Sequence, residues 1–326
     1  MARIVIGIGT SHSPQVSTGP ESWHLHAERD YANPVLDMDA LQRTAPAGIA
    51  TQLAPSVYQA KHDACQAAIA RLSQALHEAA PDVVVIVGDD QRELFRDECL
   101  PAFAVYTGSE LYDVPPAPET VVPSHRPALW SRHQGVRESY PLMPAFASHI
   151  VGSLVHDGFD VATASKQYEG RSLGHAYTFV RLRLMGETII PIVPVFINTY
   201  FPPNQPTPAR CFAFGAALRK SLESWDANVR IALVASGGLS HFVIDEQLDD
   251  DVLYGIRHKR SDVLVSLPEE KLNSGSSEIR NWIVVAGALE DFSIGESAYT
   301  PAYRTPSGTG CGMAFVRWDP LSLPVA

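Results

Sequence analysis

The chain has few cysteines for its length, four in 326 residues, and none stand in CxxC spacing. Scattered Cys65, Cys99, Cys211 and Cys311 argue against a disulfide framework or a zinc knuckle and fit reduced thiols. Long hydrophobic runs are also missing: no stretch approaches the length of a bilayer span. The first residues, MARIVIGIGTSHSP, carry only a short apolar run without the small-residue cleavage pattern of a secretory leader, so the expectation is a cytoplasmic protein. Positive charge is scarce, with 25 Lys and Arg against 36 Asp and Glu, a net charge of −11. That sign speaks against a nucleic-acid partner or an anionic membrane surface. Internal repeats and low-complexity tracts are not visible.

What is present is a series of Val- and Ile-rich runs: RIVIGIG (3–9), VVVIVGD (83–89), TIIPIVPVFI (188–197) and VRIALVAS (229–236). Continuous apolar runs of this length read as parallel strands buried on both faces. Helical patterns lie between and after them, at 56–80, 143–158, 209–225 and 277–290. Alternation of strand and helix predicts an α/β fold. The expectation is a single domain, 1–326, with a central mostly parallel or mixed sheet flanked by helices. Two segments, 10–54 and 108–141, resist regular assignment; their Trp, Tyr and His content marks them as lids or interface elements.

In open α/β sheets ligands bind beyond the carboxyl ends of the strands. The first run is followed by GTSHSP with His12, the second by GDDQRE with Asp89, Asp90 and Gln91, the fourth by GGLSHF with Ser240 and His241. Further on, GSSEIRNW places Glu278 at the start of a helical pattern. A carboxylate there ordinarily complements the helix dipole. Beside His12 it has a second reading, the carboxylate of a site in which two histidines and one carboxylate leave iron with open positions.

Together TSHSP, ASGGLSHFVID, TYFPPNQPTPARCFAFGAALRKSLES and SSEIRNWIVVAGAL resemble the catalytic subunit of the type III extradiol ring-cleavage dioxygenases, over residues 3 to about 317. The N-terminal GIGTSHSPQVSTGPESW is most similar to the gallate and 3-O-methylgallate branch. The resemblance implies Fe(II), O2 and an aromatic diol or triol, with His12 and Glu278 as metal ligands. It implies that His241 is the acid/base histidine and His175, in SLGHAYTF, the second active-site histidine, although the usual Asp-His-Gly is here Gly174-His175-Ala176. Where the family has an Asp-His pair supplying the remaining ligand, this chain has Asp90-Gln91. Gln91 itself, an aspartate from Asp89-Asp90 (Asp90 first), or His62 from the helical pattern at 56–80 are the alternatives for that position. His24 and His26 on the first long segment are weaker ones.

A pocket role is expected for Ser240, Tyr200, Tyr303, Thr305 and Ser307, the last three from PAYRTPSGTGCG. The rival readings are a same-fold protein without dioxygenase activity, favoured by Gln91, and a zinc-dependent hydrolase. A serine hydrolase built on Ser240 lacks the GxSxG elbow. The expected assembly is a homodimer needing no separate small subunit, with Trp23, Leu25 and Trp130 near the interface.

Overall fold

The computed structural model describes residues 1–321. Its elements run β1 (Arg3–Thr10), α1 (Trp23–Tyr31), α2 (Met38–Thr44), α3 (Pro55–Ala79), β2 (Val83–Gly88), β3 (Phe103–Tyr106), β4 (Tyr112–Asp113), β5 (Glu138–Ser139), α4 (Pro144–His156) and β6 (Ala162–Ala164). They continue with α5 (His175–Val180), β7 (Ile192–Ile197), α6 (Pro208–Glu223), β8 (Arg230–Ser236), α7 (Glu246–Arg257), α8 (Ser261–Val265), α9 (Ile279–Ala288), β9 (Ser293–Tyr303) and β10 (Gly310–Asp319). Eight strands form one sheet in the order β6-β3-β7-β2-β8-β1-β10-β9, and β4 pairs with β5 separately. The four apolar runs are its centre: β7, β2, β8 and β1 are mutually parallel, while β3 and β10 flank them antiparallel. This is the predicted α/β architecture.

Alternation along the strands divides the core into two layers. In β2, Val83, Val85 and Val87 join one hydrophobic cluster while Val84 and Ile86 join the other. In β1 the alternation breaks, since Ile4 faces the first cluster but Ile6 and Ile8 the second, and the register against β8 shifts between Ile4 and Ile6. That irregularity turns the end of β1 so that the SHSP turn beyond it faces the rim of the sheet. The first layer is closed by α4, α6 and α9, the second mainly by α3. Among the described residues no helix is long and apolar enough to cross a membrane.

Helix α9 is buried along its whole length and meets α6 at unusually short range. A Cβ on Gly287 would strike the backbone at Phe212, and one on Gly215 the backbone at Val284. Backbone cannot rotate away as a side chain can. Gly287→Ala is therefore expected to cost about 1–3 kcal/mol, read as a lowered thermal midpoint.

The two segments without regular assignment contain more structure than the sequence pattern shows. Residues 10–54 hold α1 and α2, and 108–141 hold β4, β5 and a 3-10 stretch, Pro123–Ser131. WHLHAERDY has almost no apolar face; α1 is helical because Trp23 is driven into the core, against Tyr58, with its indole N–H on the Thr18 carbonyl. Burial of Trp23 within its own chain corrects the expectation that it borders a subunit interface. Trp130 is 57% exposed.

Candidate metal centre and active site

Because β2, β8 and β1 are neighbours, their carboxyl ends bring Asp89, His241 and His12 to one rim of the sheet. His12 is almost fully buried, and its Nδ1 lies 2.9 Å from the Ser236 hydroxyl. That hydroxyl gives its own proton to the Ala176 carbonyl at 2.6 Å, so it accepts from His12 Nδ1–H. The tautomer is thereby fixed, with Nε2 as the ring's free ligand atom. Nε2 is buried without a hydrogen bond, 3.2 Å from Glu278 Oε2 and 3.9 Å from Asp89 Oδ1.

Glu278 does not cap α9 with its side chain. Its carboxylate instead points to the rim, where the Gly238 N–H donates to Oε2 at 2.7 Å and the Tyr200 hydroxyl to Oε1 at 2.8 Å. Two buried carboxylates and two imidazoles converge: ligand atoms of His12, Asp89, His175 and Glu278 lie within 4.8 Å of one another. Burial and the neighbouring Glu278 push the Asp89 carboxyl up, against the pull of His12 and His175. A pair of buried carboxylates facing an orphaned imidazole nitrogen is unfavourable without a cation between them. The oxygen and nitrogen donors suit a divalent first-row metal.

His175 opens α5, and its Nδ1 and backbone N–H both reach Glu93 Oε1, at 2.7 and 3.0 Å. Burial alone would raise the Glu93 carboxyl, but His175 outweighs it and holds the group at about 2. Burial likewise opposes charge on His175, and Glu93 reverses it, raising the imidazole. His241 commits its Nδ1–H to the Leu239 carbonyl at 2.8 Å and turns Nε2 toward Glu278 Oε1, 3.5 Å away. Gly275 lies against this ring, where any Cβ would displace it.

Gln91 reaches the cluster through its amide nitrogen, 3.3 Å from Asp89 Oδ2 and 3.5 Å from Glu278 Oε1. Asp90 turns away: its oxygens accept the backbone N–H groups of Leu94 and Phe95 at 2.8 and 3.0 Å, the usual work of an aspartate at a turn. Burial, with Glu93 nearby, lifts its carboxyl to about 7. His62 sits outside the cluster, beside Asp63 at 3.5 Å. His24 is exposed and bonds Glu21, whereas His26 is buried and lines the pocket.

The pocket above the cluster holds about 610 Å³ of empty space when its open mouth is counted. Of the pocket residues expected from sequence, Tyr200 lines it. Ser240 faces the other way, with its hydroxyl donating to Asp249 at 2.8 Å. Tyr303 donates to Glu246, Thr305 pairs with Thr309, and Ser307 bonds the Met38 carbonyl. From that segment Arg304 and Cys311 reach the pocket instead. Arg304 stands just past the end of β9, in the connection to β10.

Glu93, Ser236, Arg29 and Arg132 also serve the site without being anticipated from the sequence. Glu93 lies two residues beyond Gln91, near enough for that motif to have pointed to it; the arginines carry no local signal.

Comparison with known proteins gives the chain a family. Residues 50–310 match the family described as the catalytic LigB subunit of aromatic ring-opening dioxygenase, a span that contains Asp89, His175, His241 and Glu278 but begins after His12. The chain is 29% identical over 181 residues to a 2,3-dihydroxyphenylpropionate/2,3-dihydroxicinnamic acid 1,2-dioxygenase of Comamonas testosteroni, covering 53% of this chain and 47% of that protein. It is 25% identical over 193 residues to a gallate dioxygenase of Pseudomonas putida, covering 55% of this chain and 54% of the relative. The chain thus spans about half the length of the curated relatives it matches. With well over half of its residues inside the family match, the chain belongs to the family of catalytic LigB subunits of aromatic ring-opening dioxygenases.

Proposed function

We propose that the protein is a non-haem Fe(II)-dependent extradiol dioxygenase that opens the ring of a catecholic or gallate-type substrate with O2. The observation that carries this reading is the buried convergence of His12, Asp89, His175 and Glu278, of which His12, His175 and Glu278 line a pocket, in a chain of this family. His12, Asp89 and Glu278 would hold the iron, which when bound supplies positions where a diol and O2 meet and exchange electron density. Of the alternatives that the sequence leaves open, Gln91, an aspartate from Asp89-Asp90 and His62, Asp89 is the one adopted. Its support is charge: two carboxylates balance a divalent ion, and a neutral amide does not. Gln91 then steadies both carboxylates through its N–H groups.

The remaining residues handle protons and orientation. His241 offers Nε2 as the base for a substrate hydroxyl, since Nδ1–H is committed to Leu239. His175, oriented by Glu93, presents Nε2 across the cluster and donates a proton to the oxygen side of the reaction. Tyr200 and the Gly238 N–H fix the two oxygens of Glu278.

Segments 10–54 and 108–141 both border the pocket, which favours a site complete without a small subunit. A homodimer in the cytoplasm completes the proposal. The test is oxygen uptake after anaerobic Fe(II) reconstitution, on catechol, 3,4-dihydroxybenzoate and gallate, with the ring-opened product identified. Uptake on at least one diol, lost on chelation, is expected. Iron bound at stoichiometry with no uptake on any diol would overturn the reading, and activity appearing only with a second polypeptide would overturn self-sufficiency.

A further inference from the structure

One wall of the pocket is cationic, against the sign of the whole chain. Three guanidinium groups line the pocket, those of Arg29, Arg132 and Arg304. Arg304 is spoken for: it pairs with both oxygens of Asp30, at 2.6 and 2.8 Å, and bonds Gln15 at 2.9 Å. The other two have no carboxylate partner among the described residues. Arg29, on α1, gives its hydrogen bond to His125 Nε2. Arg132, just after the 3-10 stretch, donates from Nη2 to the His12 carbonyl at 3.1 Å, and its Nε is buried with no hydrogen bond at all. A buried guanidinium N–H without an acceptor is costly unless a ligand completes it.

The histidines between the arginines add no charge. Burial, with Arg304, Arg29 and Arg132 nearby, lowers His26 to about 3. Burial, with Arg132 and Arg29, lowers His125 to about 2. Near neutral pH the wall therefore carries two unpaired positive charges from two different segments, in a chain whose net charge is −11.

We propose that Arg29 and Arg132 form a carboxylate clamp that selects aromatic diols bearing a ring carboxylate, held at the edge opposite the diol. A planar two-oxygen anion matches guanidinium donors, and two arginines converging on it give orientation as well as attraction. The clamp deepens the ring-cleavage reading and rests on it for the diol, but its own ligand is the carboxylate. Both arms come from the segments that close the pocket, so an anionic ring ties α1 to the Pro123–Ser131 stretch. Through the Arg132 contact, the same anion steadies the loop that carries His12.

The experiment is calorimetric titration of the Fe(II)-loaded protein, kept anaerobic, with benzoate and with benzamide, two unreactive rings that differ in charge. Benzoate is expected to bind at least about tenfold more tightly than benzamide, and Arg29→Gln and Arg132→Gln to remove most of that difference, as loss of a charge-assisted hydrogen bond predicts. Arg29→Lys should retain part of it. In turnover, KM for 3,4-dihydroxybenzoate should rise about tenfold in Arg29→Gln.

Equal binding of benzoate and benzamide, or benzoate affinity unchanged in both glutamine variants, would overturn the clamp. Arg29 is exposed on a short surface helix, so its variants keep the test decisive even if Arg132→Gln fails to fold. Arginine-dependent benzoate binding without turnover of any diol would sink the ring-cleavage reading and leave the clamp standing.

Discussion

Asp89→Asn is expected to lose iron, while Gln91→Ala is expected to keep it. In the first variant one of two buried carboxylates becomes a neutral amide, a weaker ligand that also removes half of the negative charge facing the cation. Loss of a hydrogen-bonding partner of a ligand typically lowers metal affinity about 10–100-fold, and loss of a charged ligand should exceed that, by about a thousandfold. Gln91→Ala removes only the amide that bridges Asp89 and Glu278 at 3.3 and 3.5 Å, and should fall in the lower range, about tenfold. Iron content after anaerobic reconstitution at graded Fe(II), with dissociation constants from competition with a chelator, separates the two. Asp89→Asn with wild-type affinity, beside Gln91→Ala without iron, would return the third ligand to Gln91. The result also decides what the glutamine in GDDQ means, a displaced ligand or a group that supports one.

His241→Ala is expected to bind iron normally and to turn over about 10²–10⁴-fold more slowly, the range for removing a positioned general base. The split is what makes the prediction informative. His241 touches the cluster only through Glu278, whose oxygens are also held by Tyr200 and the Gly238 N–H. Iron retention therefore does not depend on this imidazole, whereas proton removal from the substrate does. His241→Gln keeps the volume but not the base and should be equally slow. If either variant lost iron together with activity, His241 would be a ligand and the base would have to be sought elsewhere in the pocket.

The sequence is most readable where local pattern and tertiary role coincide. Buried on both faces, the four parallel strands have no polar side to show, and their apolar runs give them away; His12, Asp89 and His241 stand out because strand ends are where such sheets bind ligands. Strands β9 and β10 were not anticipated, since SIGESAYTPAY and GCGMAFVRWD mix Gly, Pro and polar residues and pair antiparallel at the sheet's edge. Helix α1 escaped because it is helical by docking Trp23 rather than by pattern. Tyr303, Thr305 and Ser307 lie in the right segment, but their hydroxyls bond Glu246, Thr309 and the Met38 carbonyl, partners that only the fold brings to them or turns toward them. Arg29 and Arg132 are about a hundred residues apart in sequence, and only the fold sets them on one wall.

The four side chains of the cluster come from positions 12, 89, 175 and 278, so nearly the whole chain separates the first from the last. An unfolded chain offers no two of these donors close together, and an ion has little there to hold. Whatever binding free energy the cluster supplies therefore accrues to the folded state alone, about 4 kcal/mol when free metal stands a thousandfold above its dissociation constant. Assembly consequently runs in one direction. Strands β2, β8 and β1 must align their ends, and α5 and α9 must dock on them, before a cation can be captured. A metal held there would arrive last, as a clasp across a finished sheet, locking together parts of the molecule that were synthesised far apart in time.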